Sequence, residues 1–264
     1  MPPQQPSQRN EIVEWYQSIP PITKALFTLS IATTTVGSLG LIHPSSLILY
    51  WPSVQSKLQL WRLVSCFFYN KFSLGFAFNV YFLYRNSLQL ENETFQGQPA
   101  DYMFFHLFTS SLQLAAASIF KMYVLSDGLL LSIAYLWAQH NAETPVTFMF
   151  GIRLKARFLP FAMILMDFLM SGGEIPKASI GGLVSAHIYY YLTTIYPNQG
   201  GQRYLQTPSF LRRLFPAQTR GGFRGGFGRP GSTPSGSSSS TATAAPQTNM
   251  FGRHTWGSGQ RLGS

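Results

Sequence analysis

Charged residues are scarce in this sequence. Only 11% of its 264 residues are Asp, Glu, Lys or Arg, against about 25% in ordinary soluble domains. A soluble globular body does not explain this deficit. A membrane-embedded body does, because every charge placed in hydrocarbon is costly.

Cysteine is almost absent, since Cys66 is the single thiol of the chain. One cysteine forms no internal disulfide, and no metal-ligand spacing surrounds it. We therefore interpret Cys66 as a small buried apolar residue and expect no metal and no cofactor. A cleavable signal peptide is also not visible: residues 1–10 are polar and rich in proline, and the first apolar run is as long as a membrane span. We expect this run to act as an uncleaved signal anchor.

Long apolar runs are what the sequence does contain. A membrane span needs about 20 mostly apolar residues, and six runs approach or exceed that requirement, namely residues 22–42, 66–88, 101–120, 123–139, 158–170 and 178–196. The fifth run is short, since 13 residues cover about 20 Å of a core about 30 Å thick. Either flanking residues extend this span or the bilayer thins around it. The sequence predicts an all-α polytopic membrane protein with a six-span domain over residues 22–197.

The charge distribution predicts the orientation of these spans. An even number of spans puts both termini on one side. With a cytosolic N-terminal segment (residues 1–21), the basic residues Arg85, Arg153, Lys155 and Arg157 also fall on the cytosolic side, as the positive-inside rule requires. We expect the first loop, which contains Tyr50, Trp51 and Trp61, to lie on the membrane surface because these ring types favour the interface.

Residues from 198 onward differ in composition from the rest. They are polar and rich in Gly, Ser, Pro and Arg, which predicts a disordered cytosolic linker over residues 198–251. Its Arg-Gly-Gly-Phe stretch at 220–227 is similar to tracts that bind RNA. A flexible tether whose arginines touch anionic lipid explains the same composition, so no nucleic-acid partner is predicted.

Four groups of residues together resemble the derlins, which are rhomboid-fold proteins of the endoplasmic reticulum. The resemblance covers about residues 16–197 and is carried by Tyr16 with Ile19 to Lys24; by 59–63 (Gln-Leu-Trp-Arg-Leu); by Phe95, Gly97, Ala100 and Asp101 with Tyr135, Trp137 and Asn141; and by Gly181, Gly182, Ala186, His187, Tyr189 and Tyr190 with Tyr196 and Pro197. It implies a rhomboid-like six-helix bundle in the endoplasmic reticulum membrane. It also implies a role in endoplasmic-reticulum-associated degradation, with membrane lipid, misfolded proteins and a ubiquitin-ligase membrane complex as partners.

The last residues, 252–264, look like an SHP box, the short segment with which several adaptors bind the valosin-containing AAA ATPase. An aromatic residue, spaced glycines and a terminal leucine suit an extended peptide that docks through its backbone and two apolar anchors. The residues predicted to bind the ATPase are Trp256, Gly257, Gly259, Arg261, Leu262 and Gly263.

Catalytic residues of a rhomboid protease are not recognisable here. Such an enzyme needs a serine in a G-x-S-G pattern on the fourth span and a histidine base on the sixth. Ser126 and Ser132 do not fit that pattern, although His187 lies where the base belongs. A base without an activated nucleophile cannot run acyl transfer. The resemblance thus implies a pseudoprotease in which His187 makes a structural hydrogen bond between spans. A protease with an unrecognised nucleophile remains the alternative.

Three further sets of residues are candidates for function. Trp61 and Arg62 either shape the first loop or act directly, for example on lipid headgroups. Gly182 and Ala186 form a small-xxx-small pair that allows close helix packing. The polar residues at membrane depth either line a hydrophilic path for polypeptide or bond neighbouring spans, and they are Asn79, Gln113 and Asp167.

The combined prediction is a membrane body that engages misfolded proteins and aids their retrotranslocation, with a tail that brings the ATPase supplying the pulling force. A long tether makes that recruitment an effect of local concentration. A passive membrane adaptor for the ATPase is the remaining alternative.

Overall fold

The computed structural model describes residues 8–148, 151–202 and 205–216. Most of these residues are helical, and the long helices follow the apolar runs of the sequence. In chain order the helices are α1 (Gln8–Ser18), α2 (Pro21–Ser38), α3 (Trp51–Lys57), α4 (Arg62–Ser65), α5 (Leu74–Gln89), α6 (Pro99–Phe120), α7 (Ser126–His140), α8 (Leu159–Met170), α9 (Lys177–Tyr190), α10 (Tyr196–Asn198) and α11 (Ser209–Leu214). Strands β1 (Pro145–Thr147) and β2 (Arg153–Lys155) pair antiparallel between α7 and α8.

Helix α7 is the central element of the bundle. Every residue from Gly128 to Ala138 is buried, as expected for a helix that is apolar on all faces. Its most extensive partner is α9, and α5 and α8 also pack against it. Residues of α5, α8 and α9 are therefore positioned around α7.

Each of the six predicted runs overlaps one helix of the bundle, in order α2, α5, α6, α7, α8 and α9. Among the helices of the described residues, α6 alone is both long enough and apolar enough to cross a membrane; its 22 residues extend about 33 Å. Helix α8 has 12 residues and extends about 18 Å. The helical class is thus established, while the count of six spans stays a prediction.

The second predicted run starts too early. It was placed at residue 66, whereas helix α5 begins at Leu74. The oxygen of Ser73 accepts a hydrogen bond of 3.2 Å from the Phe76 backbone N–H, which caps the first turn of the helix. The apolar residues before Ser73 lie outside the helix. The predicted run included them because hydropathy alone does not locate an N-cap.

The segment between the second and third predicted runs, residues 89–100, is helical in its first half. Helix α5 continues there through a π-helical turn, Leu90–Thr94. The segment stays helical because Glu91, its buried acidic residue, finds hydrogen-bond donors inside the protein. At the other end of the bundle, α9 likewise continues through the π-helical turn Tyr191–Ile195 into α10.

The predicted linker at residues 198–251 also starts too early. Residues 205–216 belong to the described structure and contain α11, which packs on α6. Leu211 is buried, and Arg212 lies 3.9 Å from Asp101 at the start of α6. Buried Leu211, the partly buried Leu205 and Phe215, and an ion pair hold this short helix, and a polar, proline-containing composition does not reveal them.

Two elements at the periphery were not predicted at all. Trp15 of α1 contacts the rings of Phe27 and Tyr84, with ring centroids 6.2 and 5.7 Å apart. In the hairpin segment, Phe148 packs on Phe82 of α5 with centroids 5.7 Å apart. Both elements are short and owe their order to contacts with the long helices.

Candidate functional site

Helices α7 and α9 cross with their backbones in close contact. A Cβ atom added to Gly182 would lie 2.1 Å from the carbonyl oxygen of Gly128, and one added to Gly128 would lie 2.7 Å from the carbonyl oxygen of Ala178. Only glycine fits at both positions. Ala186, one turn further along α9, is fully buried. Gly182 and Ala186 thus lie at the α7–α9 contact, and their counterpart Gly128 was missed because a lone glycine carries no spacing signal.

His187 on α9 faces a tyrosine of α7. Its Nδ1 atom lies 2.6 Å from the hydroxyl of Tyr135, and the two rings are nearly perpendicular. The hydroxyl of Ser132 donates to the carbonyl of Leu129 at 2.7 Å, and the buried Ser126 hydroxyl has no partner among the described residues. The structure therefore brings His187 together with Tyr135 rather than with a serine.

The three predicted intramembrane polar residues converge on the first turn of α7. Asn79 Nδ2 donates to Asp127 Oδ1 at 3.2 Å. The carboxyl groups of Asp167 and Asp127 are near enough for like-charge repulsion. Asp167 also accepts a hydrogen bond of 2.5 Å from the Ser179 hydroxyl. Asp127 was not singled out in the sequence, although an acid inside an apolar run is the same signal that identified Asp167.

Gln113 reaches the same turn from α6. It is fully buried, and its Nε2 atom donates to Ser185 Oγ at 3.3 Å. Its Oε1 atom has no partner among the described residues and lies against Gly128, where an added Cβ would approach within 2.4 Å. Each predicted polar residue thus contacts a neighbouring helix, and the start of α7 is their common meeting point.

A small cavity of about 20 Å³ adjoins this turn. Asn79 and Ser126 line it together with Asn70. Its volume is that of about one water molecule. A water in this position would supply the partner that the Ser126 hydroxyl lacks.

Trp61 and Arg62 have different surroundings. Trp61 is exposed, whereas Arg62 is buried. The Arg62 guanidinium donates to Gln59 Oε1 at 2.6 Å, to the Ile48 carbonyl at 2.9 Å and to the Ser45 carbonyl. Arg62 thus fixes the fold of the first loop, and Trp61 is the member of the pair that is accessible from outside.

Glu91 was overlooked because it lies outside the predicted apolar runs, where an acidic residue does not stand out. Its carboxylate accepts hydrogen bonds from the backbone N–H of Ile22 at 3.1 Å and of Thr23 at 2.7 Å. These are first-turn N–H groups of α2 that no helical carbonyl satisfies. Pro20, at the N-cap, provides no side-chain acceptor, so Glu91 takes that role. Burial raises the pKa of Glu91, and the hydrogen bonds from Thr23 and Ile22 oppose that rise.

The Glu91 contact extends across three helices. The Thr23 hydroxyl, which also donates to Glu91, lies 2.8 Å from the Ser87 hydroxyl. Ser87 in turn lies 2.8 Å from the hydroxyl of Tyr102. The chain of polar groups joins α2, the end of α5 and α6, and it is completely buried.

Comparison with known families identifies the class of this bundle. The model of the Der1-like family matches residues 19–209, most of the chain. The chain belongs to the Der1-like family. The derlin resemblance predicted from the sequence is therefore confirmed, and the matched region includes the start of α11. As a derlin, the protein belongs to a family of endoplasmic reticulum membrane proteins that act in endoplasmic-reticulum-associated degradation.

Individual relatives of this derlin are similar over most or nearly all of their length. Derlin-1 of Homo sapiens is 39% identical over 259 residues, which cover 96% of this chain and 99% of the relative. Derlin-1 of Drosophila melanogaster is 34% identical over 254 residues, covering 94% and 97%. A probable derlin-2 homolog of Dictyostelium discoideum is 32% identical over 213 residues, covering 78% and 83%.

The tail of the derlin lies outside the described residues from 217 onward. This applies to the Arg-Gly-Gly-Phe stretch at 220–227, to most of the predicted linker and to all of the predicted SHP box, residues 252–264. Within the part of the chain that is described, no three His, Cys, Asp or Glu side chains are grouped in a way that could hold a metal ion.

Proposed function

We propose that this derlin is a catalytically inactive, rhomboid-like component of endoplasmic-reticulum-associated degradation that helps misfolded proteins to leave the membrane. Its body spans the membrane six times with both termini in the cytosol. It works beside a ubiquitin-ligase membrane complex. Its tail recruits the valosin-containing AAA ATPase through residues 252–264, and the ATPase supplies the pulling force.

Helix α8 is the observation that carries the proposal. Its 12 residues extend about 18 Å, well short of a hydrocarbon core of about 30 Å. A short apolar helix is accommodated by local thinning of the bilayer. The side of α8 that faces away from the bundle exposes Phe161, Leu165 and Leu169, so lipid meets this short helix directly. Thinner lipid beside polar residues at the start of α7 lowers the barrier for moving a polypeptide segment out of the membrane.

The membrane part of the proposal is tested by lengthening α8. Cells that lack their own copy are complemented with the wild-type chain or with a chain in which α8 carries two further turns of leucine, which restores a span of ordinary length. We expect the half-life of a misfolded membrane substrate to lengthen several-fold. The control is Leu165→Ile, a volume-conserving change on the same exposed face. Normal clearance with the lengthened helix would contradict the thinning mechanism.

The tail part of the proposal is tested separately by capture of the ATPase from a detergent extract. Intact chain is compared with a chain ending at residue 251 and with the double variant Trp256→Ala, Leu262→Ala. We expect capture to be lost in both. Substitution of Arg220 and Arg224 by lysine is the control, because it keeps the charge of the tether and leaves the box intact. Capture that persists after truncation would refute ATPase recruitment by the box.

The two tests together distinguish the passive adaptor. An inert anchor with a working box would lose substrate clearance on truncation but tolerate the longer α8. The pairing of His187 with Tyr135 and the backbone hydrogen bond of Ser132 support an inactive body over a serine protease, since neither serine of α7 hydrogen-bonds the histidine.

A further inference from the structure

An apolar groove of about 510 Å³ lies between α6 and α9 on the outside of the bundle. Its size is in the range of pockets that hold small molecules. Helix α6 contributes Leu112, Ala116 and Phe120, and the facing wall consists of Met122, Ile175, Lys177, Ile180, Gly181, Val184, Ser185 and Ile188. The proposed function does not use this groove.

The groove has a definite length and position. It extends along α9 from Lys177 to Ile188 and along α6 from Phe120 back to Leu112. Eleven residue steps of α-helix measure about 16 Å, roughly half of a hydrocarbon core about 30 Å thick. A groove of this length suits an acyl chain of one leaflet, whereas a transmembrane helix of a partner would need contact along the whole core.

Lys177 is the one charged residue in the lining. It is exposed at the end of the groove where α9 begins. Within the described part of the chain it takes part in no ion pair. The positive end of the α9 dipole adds to its charge. The groove is therefore apolar along its length and carries a single positive charge at one end. This combination matches an amphiphile with an anionic head.

Gly181 keeps the groove open. A Cβ added to Gly181 would meet only the far end of the Met122 side chain, at 3.9 Å. Its neighbour Gly182 is locked against α7, so the two adjacent glycines have separate structural roles. A larger side chain at 181 would fill the groove without disturbing the helix crossing.

We infer that this groove binds one phospholipid, with an acyl chain along α9 and the phosphate at Lys177. The bound lipid covers the apolar surface between α6 and α9. It is held longer than the lipids around the rest of the bundle, because a groove encloses the chain on two sides.

The test uses the purified full chain in phosphatidylcholine nanodiscs that contain phosphatidylglycerol with a diazirine at the end of one acyl chain. After illumination, the labelled peptides are mapped by mass spectrometry. We expect labelling to concentrate at the inner end of the groove, on Leu112 and Ile188. Gly181→Leu should reduce that labelling by roughly tenfold, the loss expected when space for several methylene groups is filled.

The matched control is Gly75→Leu, because Gly75 is another exposed helical glycine where an added Cβ has only an ordinary contact, 3.5 Å from Ser73. It should leave the labelling unchanged. Lys177→Gln should weaken labelling several-fold and Lys177→Arg should restore it. Val184→Phe fills the groove at a different position and replaces Gly181→Leu if that variant unfolds on a thermal melt.

Three outcomes would overturn the inference. Labelling spread evenly over all lipid-facing helices would mean ordinary surrounding lipid. Labelling unchanged by both Gly181→Leu and Val184→Phe would remove the groove as the binding site. A disulfide between two copies of an Ile188→Cys variant, with no lipid labelling in the groove, would mean that a second copy, rather than a phospholipid, covers the groove.

Discussion

Oε2 of Glu91 accepts two hydrogen bonds of 2.7 Å from Thr23, one from the backbone N–H and one from the hydroxyl, although the residues are 68 positions apart. The contact makes the connection between α5 and α6 responsible for the start of α2. A helix N-terminus that would ordinarily be capped by its own N-cap residue depends here on a distant carboxylate.

Glu91→Ala is expected to destabilise the bundle by about 1–3 kcal/mol, the cost of leaving buried donors without an acceptor. The loss is measured as a lowered midpoint of thermal unfolding in nanodiscs. Glu93→Ala is the control, since Glu93 is an exposed acid of the same turn. Equal midpoints for the two variants would show that Glu91 does not hold α2.

The raised pKa of Glu91 predicts the sign of a pH effect. An acid with a higher pKa in the folded state holds its proton more firmly there, so its contribution to stability is complete below the ordinary value of 4.5 and is lost as pH rises through the folded pKa. The stability of the wild type relative to Glu91→Gln should therefore fall with rising pH. Thermal melts of both proteins, run in parallel from acidic to neutral pH, measure this relative stability. A wild type that becomes more stable relative to Glu91→Gln as pH rises would contradict a raised pKa of Glu91.

Gly182→Ala should separate α7 from α9, because its methyl group would meet the Gly128 carbonyl at 2.1 Å. Backbone atoms cannot yield as a flexible side chain does, so we expect a loss of at least about 1–3 kcal/mol. Gly181→Ala adds the same methyl group one residue away, where it meets only the end of the Met122 side chain at 3.9 Å, an ordinary contact, and should be neutral. Melting midpoints of the pair test the crossing directly, and similar values would mean that it is not tight.

Tyr135→Phe removes the hydroxyl that His187 bonds and should cost about 0.5–1.5 kcal/mol of stability. If the pair is structural, His187→Phe should cost a similar amount, and the double variant should lose less than the sum of the two. Neither the wild type nor any variant should label with a fluorophosphonate probe. Labelling of the wild type at Ser126 or Ser132 would restore the protease hypothesis.

The proposed topology predicts the fate of a glycosylation sequence. Asn92, Glu93 and Thr94 form an acceptor motif, but a cytosolic connection between the second and third spans keeps it from the lumenal transferase. Translation with microsomes should leave the wild-type chain unmodified. An acceptor motif built at Ser171 to Glu174, in the connection assigned to the lumen, should gain one glycan. A glycan on Asn92 would show that this connection lies in the lumen and that the proposed orientation is reversed.

The sequence predicted the parts of this protein that depend on long apolar runs. Helices α6 and α8, and α9 together with the π-helical turn that continues it, start and end close to the predicted runs, because hydropathy over a span carries a strong signal. The misplaced boundaries lie where one contact decides the outcome: Ser73 capping α5 and Leu211 seating α11. Such contacts involve single residues, which leave no periodic pattern in the sequence.

The candidate site divides in the same way. Gly182, Asn79 and Asp167 were recognisable because small or polar residues stand out within apolar runs. Asp127 carries the same signal, but its pairing with Asn79, like the contact of Gly128 with Gly182, became visible only when α7 was placed at the centre of the bundle. Pairing between helices is a property of the packed structure, and a single sequence contains no record of it.

If the recruited ATPase puts tension on the tail, as the proposed function implies, the position of α11 has a mechanical consequence. Tension along the tail reaches α11 before it reaches any long helix. Buried Leu211, the partly buried Leu205 and Phe215, and an ion pair resist it, and the burial of Leu211 alone contributes about 1.5–3 kcal/mol. The first movement under load is then the release of this short helix from α6, which lengthens the tether by the residues between α10 and α11 while the bundle stays intact. Tension on the tail therefore first releases α11 and only afterwards loads the long helices of the membrane domain.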